Sequence, residues 1–309
     1  MTASSVDVAI IGGGPAGLTA GLYAARGGLS ALCIERITPG GQLAQTHLIE
    51  NYPGFPGGAE GWKLAYDMQQ QAQDFGMQVC ADDVQAVDLT ADPKRIKAAS
   101  GNEYLARSVV IATGARPRHL GVPGEEELAG KGVSYCATCD GNFFKDKVAV
   151  VVGGGNTAAG DALYLARICK KVYLVHRRNS LRATKIYHDN LQATPNVEFV
   201  WNAITQRIVA GDDGTVAAIE VEDQETGRLR TIDCSAVFVA VGLIPNTDFL
   251  YGSIDLDEGG YVISDERCET KVPGVFAAGD VRSKTLRQVV TAVADGAQAA
   301  ERAAEYLAI

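Results

Sequence analysis

The chain has 309 residues and a formal net charge of −9, with 28 Lys and Arg against 37 Asp and Glu. That length fits two domains of roughly 150 residues each, and the acidic balance excludes the basic footprint that general nucleic-acid binding requires. No uninterrupted apolar run reaches about 18 residues, so no transmembrane helix is expected; the 35 glycines, above the usual share of roughly 7%, point to tight turns and close backbone approaches.

The amino-terminal stretch MTASSVDVAIIGGG has no basic n-region and runs straight into a strand. No signal peptide is expected from it, and the expected compartment is the cytoplasm, where thiols stay reduced. Seven cysteines are present, and five of them (Cys33, Cys80, Cys169, Cys234 and Cys268) are scattered. That is no disulfide framework. Only Cys136 and Cys139 stand close together.

The first predicted elements lie in residues 7–36, DVAIIGGGPAGLTAGLYAARGGLSALCIER. An apolar strand meets a glycine turn, a helix follows, and a second strand ends at Glu35. Gly12, Gly14 and Gly17 form a GxGxxG turn directly after a strand and opening a helix, with an acidic residue at the end of the next strand. The glycines let backbone approach a pyrophosphate, and the helix N-terminus turns its positive end toward it. The candidate cofactor contacts are Gly12, Gly14, Pro15, Ala16 and Gly17, with Glu35 and Arg36 at the second strand end. A carboxylate at Glu35 accepts hydrogen bonds from a ribose hydroxyl, which suits a cofactor with a free 2′-hydroxyl, FAD or NAD. A purely structural glycine turn explains neither Glu35 nor the repeat described below.

Further along, 107–114 (RSVVIATG) reads as a buried strand closing on Thr113 and Gly114. A turn-rich linker follows, ARPRHLGVPGEE. Then comes Cys136-Ala-Thr-Cys139 with Asp140 and Gly141, placed just before the first strand expected in the second domain. Three readings exist for the cysteine pair. A zinc site needs a second ligand pair, which the chain lacks. Two inert structural cysteines are possible. A redox dithiol is the third, since CxxC spacing permits a short disulfide and lowers one thiol's pKa. A carboxylate touching a thiol raises that pKa, so a functional Asp140 serves proton transfer; otherwise it is a turn residue before Gly141.

Residues 148–178, VAVVVGGGNTAAGDALYLARICKKVYLVHRR, repeat residues 7–36 at an offset of 141 without a gap. Gly153, Gly155 and Ala158 make the accepted GxGxxA variant. Glu35 aligns with His176 and Arg36 with Arg177; Arg178 and Arg182 follow. Loss of the carboxylate removes repulsion against a 2′-phosphate, and arginines bind such a phosphate in fork geometry. The second copy is therefore expected to take NADPH. The competing reading of this basic run is a solvated turn.

The chain leaves its first domain near 116, and SAVFVAVGLIPNT at 235–247 marks the return. This divides it into 1–116 plus 247–309, with 117–246 inserted. Residues 272–280, VPGVFAAGD, form a short strand ending in Gly279-Asp280, where Asp280 can reach a ribityl hydroxyl or a phosphate. Arg287, Gln288 and Val289 open a helix. The fold class read from these elements is α/β: two Rossmann-like three-layer ββα nucleotide-binding domains, an NADPH domain inserted into a discontinuous FAD domain. Two nucleotide sites of different preference suggest a flavin relay.

GGGPAGLTAGLYAAR, GGQL at 40–43, ENYPGFP at 50–56, ATGA at 112–115, SYCATCDG at 134–141, GGGNTA at 153–158, VHRRNSLRA at 175–183 and VFAAGDVR at 275–282 run nearly end to end. Together they resemble the bacterial low-molecular-weight thioredoxin reductases, a class of pyridine nucleotide-disulfide oxidoreductase. The resemblance implies an enzyme in which NADPH reduces FAD, FAD reduces a Cys136–Cys139 disulfide and the dithiol reduces oxidised thioredoxin. It implies that Cys139 lies nearer the flavin, that Cys136 attacks the partner and that Asp140 is the acid-base group. For FAD it implies contacts by Gly41, Gln42 and Asn51, the Val84 backbone beside the adenine, and Thr113, Gly114, Gly279, Asp280, Arg287, Gln288 and Val289. For NADPH it implies Asn156, Thr157 and Ala158 at the pyrophosphate and Arg177, Arg178 and Arg182 at the 2′-phosphate. It also implies a homodimer whose inserted domain rotates between two states.

One departure is Ala159-Gly160-Asp161, where the family carries an acidic pair. Gly160 in a helix costs about 1 kcal/mol relative to Ala, and altered NADPH affinity or a perturbed domain contact is expected. The alternatives are a related flavin-dependent dithiol/disulfide oxidoreductase with another acceptor, and a redox-inert flavoprotein sensor. The first would dispense with thioredoxin, and the second has no need of CxxC-Asp beside an intact NADPH turn. A peroxiredoxin-reducing relative would carry an extra N-terminal thioredoxin-like region, whereas the FAD strand here starts by residue 7. His47, His119 and His188 are expected to be structural or solvated, Trp62 and Trp201 to be packing residues, and Glu125-Glu126-Glu127 to be a solvated loop.

Overall fold

A computed structural model describes residues 5–46 and 48–308. The chain packs as two units, 1–116 with 244–309, and 117–243. The return point thus stands at 244 where the sequence suggested 247. It falls inside a short strand, Leu243–Pro245, which pairs with the outgoing strand Ala115–Pro117.

In the first unit, β1 (Ser5–Ile11), helix α1 (Pro15–Arg26) and β2 (Ala31–Glu35) form the expected βαβ start. Helix α2 (Gly61–Asp74), β3 (Gln78–Ala81), β4 (Val84–Asp88), β5 (Lys94–Ala98) and β6 (Glu103–Ile111) follow. The sheet runs β3-β2-β1-β6-β5-β4, with the late strand Val275–Ala277 also paired to β6. β1, β2, β3 and β6 are parallel, whereas β5 pairs antiparallel with both β6 and β4.

β1 is apolar on both faces because both are covered, as in parallel sheets generally. Val8 and Ile10 pack on α1 and the C-terminal helix Val289–Leu307. Ala9 and Ile11 pack on the β4–β5 side, with Leu89, Ile96 and Tyr104. Burying a side chain such as Ile10 stabilises by roughly 1.5–3 kcal/mol. The two helices approach by backbone: a Cβ added to Gly296 would lie 2.2 Å from the Ala16 carbonyl oxygen.

The second unit repeats the plan. β7 (Val133–Ser134), helix α3 (Ala137–Asp140), β8 (Val148–Gly153), α4 (Asn156–Ala166), β9 (Lys171–Val175), α5 (Lys185–Gln192) and β10 (Val197–Val200) come first. The meander β11 (Ala203–Ala210), β12 (Val216–Asp223), β13 (Leu229–Asp233) follows, then β14 (Ala236–Ala240). The parallel sheet runs β7-β14-β8-β9-β10, and the antiparallel meander forms a separate three-stranded sheet. Val150 and Val152 of β8 face the meander, while Ala149 and Val151 face α3, α4 and α5. That is the three-layer ββα plan. The cysteines follow the unit's first strand, β7, and do not precede it: the two-residue strand is too short to leave a sequence pattern.

Candidate functional site

In the first unit the site begins where β1 stops. Gly12 takes φ +103°, and a Cβ there would lie 2.5 Å from the Ala112 carbonyl oxygen. Gly14 is the N-cap of α1, Pro15 is its first residue, and no side chain caps it. Gly14 also faces open space. An uncapped N-terminus behind an open glycine leaves amide donors and the positive helix end for an anion. Ala16 and Gly17 are buried behind it. Glu35 sits under the turn: its carboxylate accepts the Gly13 N–H at 2.7 Å and the Ile37 N–H at 3.1 Å. Arg36 is exposed.

Other predicted residues gather in the same unit. The Gly40 N–H donates to the Gly13 carbonyl at 2.6 Å, and a Cβ on Gly41 would lie 3.4 Å from the Gly14 Cα. The Gln42 amide donates to the Ala115 carbonyl. The Thr113 hydroxyl donates to the Asn246 carbonyl at 2.7 Å, and the Asn246 N–H reaches the Gly114 carbonyl at 3.0 Å. Asn51 donates to the Gln288 side chain at 2.9 Å. Gln288 caps the C-terminal helix, which starts at Val289. The Arg287 guanidinium lies 4.2 Å from the centre of the Tyr261 ring and donates to the Asp280 carbonyl at 3.3 Å. Val84 opens β4, after the strand that pairs with β2.

Asp280 is the informative residue. One carboxylate oxygen, Oδ1, is buried with no partner. Burial pushes its pKa up, while the charges of Lys284 and Arg287 pull it down. A buried acceptor without a donor is costly, and a ligand hydroxyl answers it. An open amide-lined turn and an orphaned carboxylate in one unit fit a ligand that carries both phosphate and hydroxyl groups.

The second unit carries the parallel site. A Cβ on Gly153 would lie 2.3 Å from the Ala240 carbonyl oxygen. Gly155 caps α4 and faces open space. Asn156 opens the helix and accepts the Thr184 N–H at 2.9 Å; Thr157 is exposed and Ala158 buried. The His176 ring lies against Gly154, where a Cβ would come within 2.2–2.5 Å of it. His176 is buried and its Nε2 has no partner. Burial and the neighbouring Arg182, Arg178 and Arg177 push its pKa down, so the ring is neutral at pH 7. The Arg182 N–H donates to the Gly154 carbonyl at 2.7 Å, folding the basic loop back over the glycine turn. Arg177, Arg178 and Arg182 are exposed there, which suits a phosphate carrying two negative charges.

Cys136 and Cys139 form a disulfide, with Cα atoms 5.3 Å apart. Cys136 caps α3 and Asp140 ends it. The Ser134 hydroxyl donates to Asp140 at 2.6 Å, and the Cys136 N–H donates to Ser134 Oγ at 3.1 Å. Burial pushes the Asp140 pKa up against the opposing Ser134 hydrogen bond. The disulfide helix is seated on the glycine-turn helix: a Cβ on Gly141 would lie 3.0 Å from Leu165 and Tyr164 of α4. The other five cysteines are free thiols, four of them buried. Among the described residues no cluster suits a metal.

Several expectations need correction. Trp62 is 59% exposed and packs no core; Trp201 does pack, stacked on Phe199 with ring centres 4.7 Å apart. Glu125 is buried and not solvated. It accepts the Leu120 and Gly121 N–H groups at 2.9 and 2.7 Å and the Tyr135 hydroxyl at 3.1 Å. His119, half exposed, has its Nδ1 2.9 Å from that hydroxyl, as a structural or solvated histidine would. Charge alone hid Glu125, because the next two glutamates share it; only the turn Gly121–Gly124 hints at a carboxylate capping backbone. His188 lies against the Ala183 carbonyl at 3.2 Å, and His47 lies outside the described residues.

Comparison with known proteins agrees with these features. The family model for pyridine nucleotide-disulphide oxidoreductases matches residues 6–296. A thioredoxin reductase of Peptoclostridium acidaminophilum is 47% identical over 307 residues, covering 97% of this chain and 96% of its own. One from Rickettsia prowazekii is 44% identical over 305 residues, with 98% of each covered. The crystal structure of thioredoxin reductase from Streptococcus pyogenes superposes with a TM-score of 0.93 at 43% identity, covering 99% of both chains.

Proposed function

The chain belongs to the pyridine nucleotide-disulphide oxidoreductase family, and from that premise we propose that it is a thioredoxin-disulfide reductase using FAD and NADPH. The observation that carries this reading is the Cys136–Cys139 disulfide, seated with a half-buried Asp140 on the helix of the NADPH turn. Bound FAD supplies the two-electron carrier between NADPH and that disulfide. Gly12, Gly14 and Gly17 bring backbone to the FAD pyrophosphate, Glu35 faces the adenosine ribose and Asp280 accepts a hydroxyl. Gly153, Gly155, Asn156, Thr157 and Ala158 hold the NADPH pyrophosphate, with Arg177, Arg178 and Arg182 on its 2′-phosphate.

The cysteines then do the exchange chemistry. The Cys136 thiolate attacks one sulfur of the thioredoxin disulfide, forming a mixed disulfide and releasing one thioredoxin thiolate. Cys139 attacks Cys136 Sγ, the protein disulfide closes again and the second thioredoxin sulfur leaves. Two electrons pass to thioredoxin, whose leaving thiolates each take a proton. Asp140, held toward its protonated form by burial, is the nearby proton source. The proposal includes rotation of the inserted unit between two states, because disulfide and NADPH turn share that unit and move together. It also includes a homodimer and a cytoplasmic location, where thiols are kept reduced. No helix among the described residues is long and apolar enough to cross a membrane.

An anaerobic absorbance experiment tests the relay. NADPH is expected to bleach the flavin, NADH to do so poorly, and oxidised thioredoxin to restore the yellow colour. In Cys139→Ser, bleaching is expected to survive and thioredoxin reduction to vanish. Bleaching in the parent without recovery on thioredoxin would assign the electrons to another disulfide acceptor. Thioredoxin turnover retained in Cys139→Ser would sink the cysteine roles.

A further inference from the structure

Behind the Gly279-Asp280 turn lies a buried charge cluster that the reading above does not use. Asp295, on the C-terminal helix, is its centre. Its Oδ2 accepts the Gly279 N–H at 3.0 Å and pairs with Lys284 Nζ at 2.8 Å. Its Oδ1 pairs with Arg282 Nη1 at 2.8 Å. All three side chains are largely buried, at 9–15% exposed. Arg282 also donates to Ser264 Oγ at 2.8 Å and to the Asp265 carbonyl at 2.6 Å.

One carboxylate therefore faces two cations and a backbone amide. A few residues away, Asp280 keeps a buried Oδ1 with no partner, although Lys284 is near enough for its charge to act on that carboxyl. Unpaired cations near an unpaired carboxylate form an ion pair unless something else engages them. Asp295 is that something. Gly279 itself sits at φ +78°, and a Cβ there would meet Ala16 at 2.8 Å. No side chain fits at this position without moving α1.

We propose that Asp295 is a positioning residue for the flavin site, holding Gly279 and engaging Lys284 and Arg282 so that the Asp280 carboxylate stays free for a ligand hydroxyl. The proposal rests on the flavin-binding reading of this unit. Asp295 touches no ligand. Without its charge, Lys284 turns to Asp280 and competes with the hydroxyl. Asn at 295 still accepts the Gly279 amide, so the charge and the hydrogen bond are separable.

The test is FAD affinity of the deflavinated protein, read as quenching of free flavin fluorescence on titration. Parent and Lys284→Met are expected to bind alike. Asp295→Asn is expected to bind at least about tenfold more weakly, and the double variant to return within about threefold of the parent. Binding by D295N as tight as the parent's would overturn the proposal, as would a double variant as weak as D295N. If D295N does not fold, the double variant is compared with Lys284→Met alone. Equal affinity there supports the lysine competition, and a tenfold loss overturns it. A parent that binds no FAD at all sinks the flavin reading itself, a different outcome from unchanged binding in the variants.

Discussion

The two glycine turns share one backbone plan and differ in what lies beneath the middle glycine. Under Gly13 is the Glu35 carboxylate, hydrogen-bonded to the Gly13 amide. Under Gly154 is the neutral His176 ring, with no such bond and an orphaned Nε2. Each pair sits at the same offset of 141 in the sequence. The first turn therefore presents a fixed negative charge, whereas the second presents a neutral ring with three exposed guanidiniums close by in the chain. Strand, turn and helix make a phosphate seat; the residue at the end of the second strand decides which ribose may sit beside it. The helices differ as well. α1 packs backbone to backbone on the C-terminal helix through Gly296, while α4 carries the disulfide helix.

The largest break in this comparison comes from the arginines. Arg177→Ala with Arg178→Ala removes charge-assisted hydrogen bonds worth about 1.5–3 kcal/mol each. The KM for NADPH is expected to rise at least ~100-fold while that for NADH moves less than about threefold. Equal losses for both nucleotides would place the pair away from the 2′-phosphate.

Gly154→Ala comes next. Its Cβ would overlap the His176 ring, and overpacking of this kind costs about 1–3 kcal/mol. Gly155→Ala, facing open space, is expected to stay within about 0.5 kcal/mol in urea unfolding. Comparable losses at both sites would mean that the ring is not packed as described.

A pH profile sharpens the contrast between the two helices. Asp161 of α4 stands where α1 has the fully buried Ala20. Burial pushes its pKa up to about 7, against roughly 3.9 in an unfolded chain. Below about pH 4 both states hold the proton. From there to about 7 only the unfolded chain releases it, so this group's contribution declines with rising pH and levels off above 7. Asp161→Asn is expected to flatten unfolding free energy across pH 4.5–7; a slope as steep as the parent's would argue against it.

The smallest effect is expected at Gly160, where α1 has Thr19, whose hydroxyl donates to the Pro15 carbonyl at 2.7 Å. A Cβ on Gly160 meets only the Tyr187 side chain, its hydroxyl at 3.7 Å and its ring at 3.9 Å. Gly160→Ala is expected to stabilise the protein by up to about 1 kcal/mol, a rise in Tm of about 2–4 °C. Gly160→Glu, by contrast, is expected to change NADPH affinity, checked by its dissociation constant.

The sequence by itself determined the βαβ units, because their signals are local. Apolar runs, glycines at fixed spacing and the switch from Glu35 to His176 all fall within about thirty residues. The cysteine pair was legible for the same reason: a CxxC is close in the chain before it is close in space. Tertiary structure alone decided which distant groups meet. Glu125 leaves an acidic run to cap two amides and hold Tyr135, a choice made by burial and backbone need, neither of which marks the residue in sequence. Asp295 reads as one polar position in an alanine-rich helix until folding brings Gly279, Arg282 and Lys284 against it. Trp62, apolar by composition, ends up in solvent. Local chemistry specifies each turn and strand; only closure of the chain determines which charges face each other in the buried space between them.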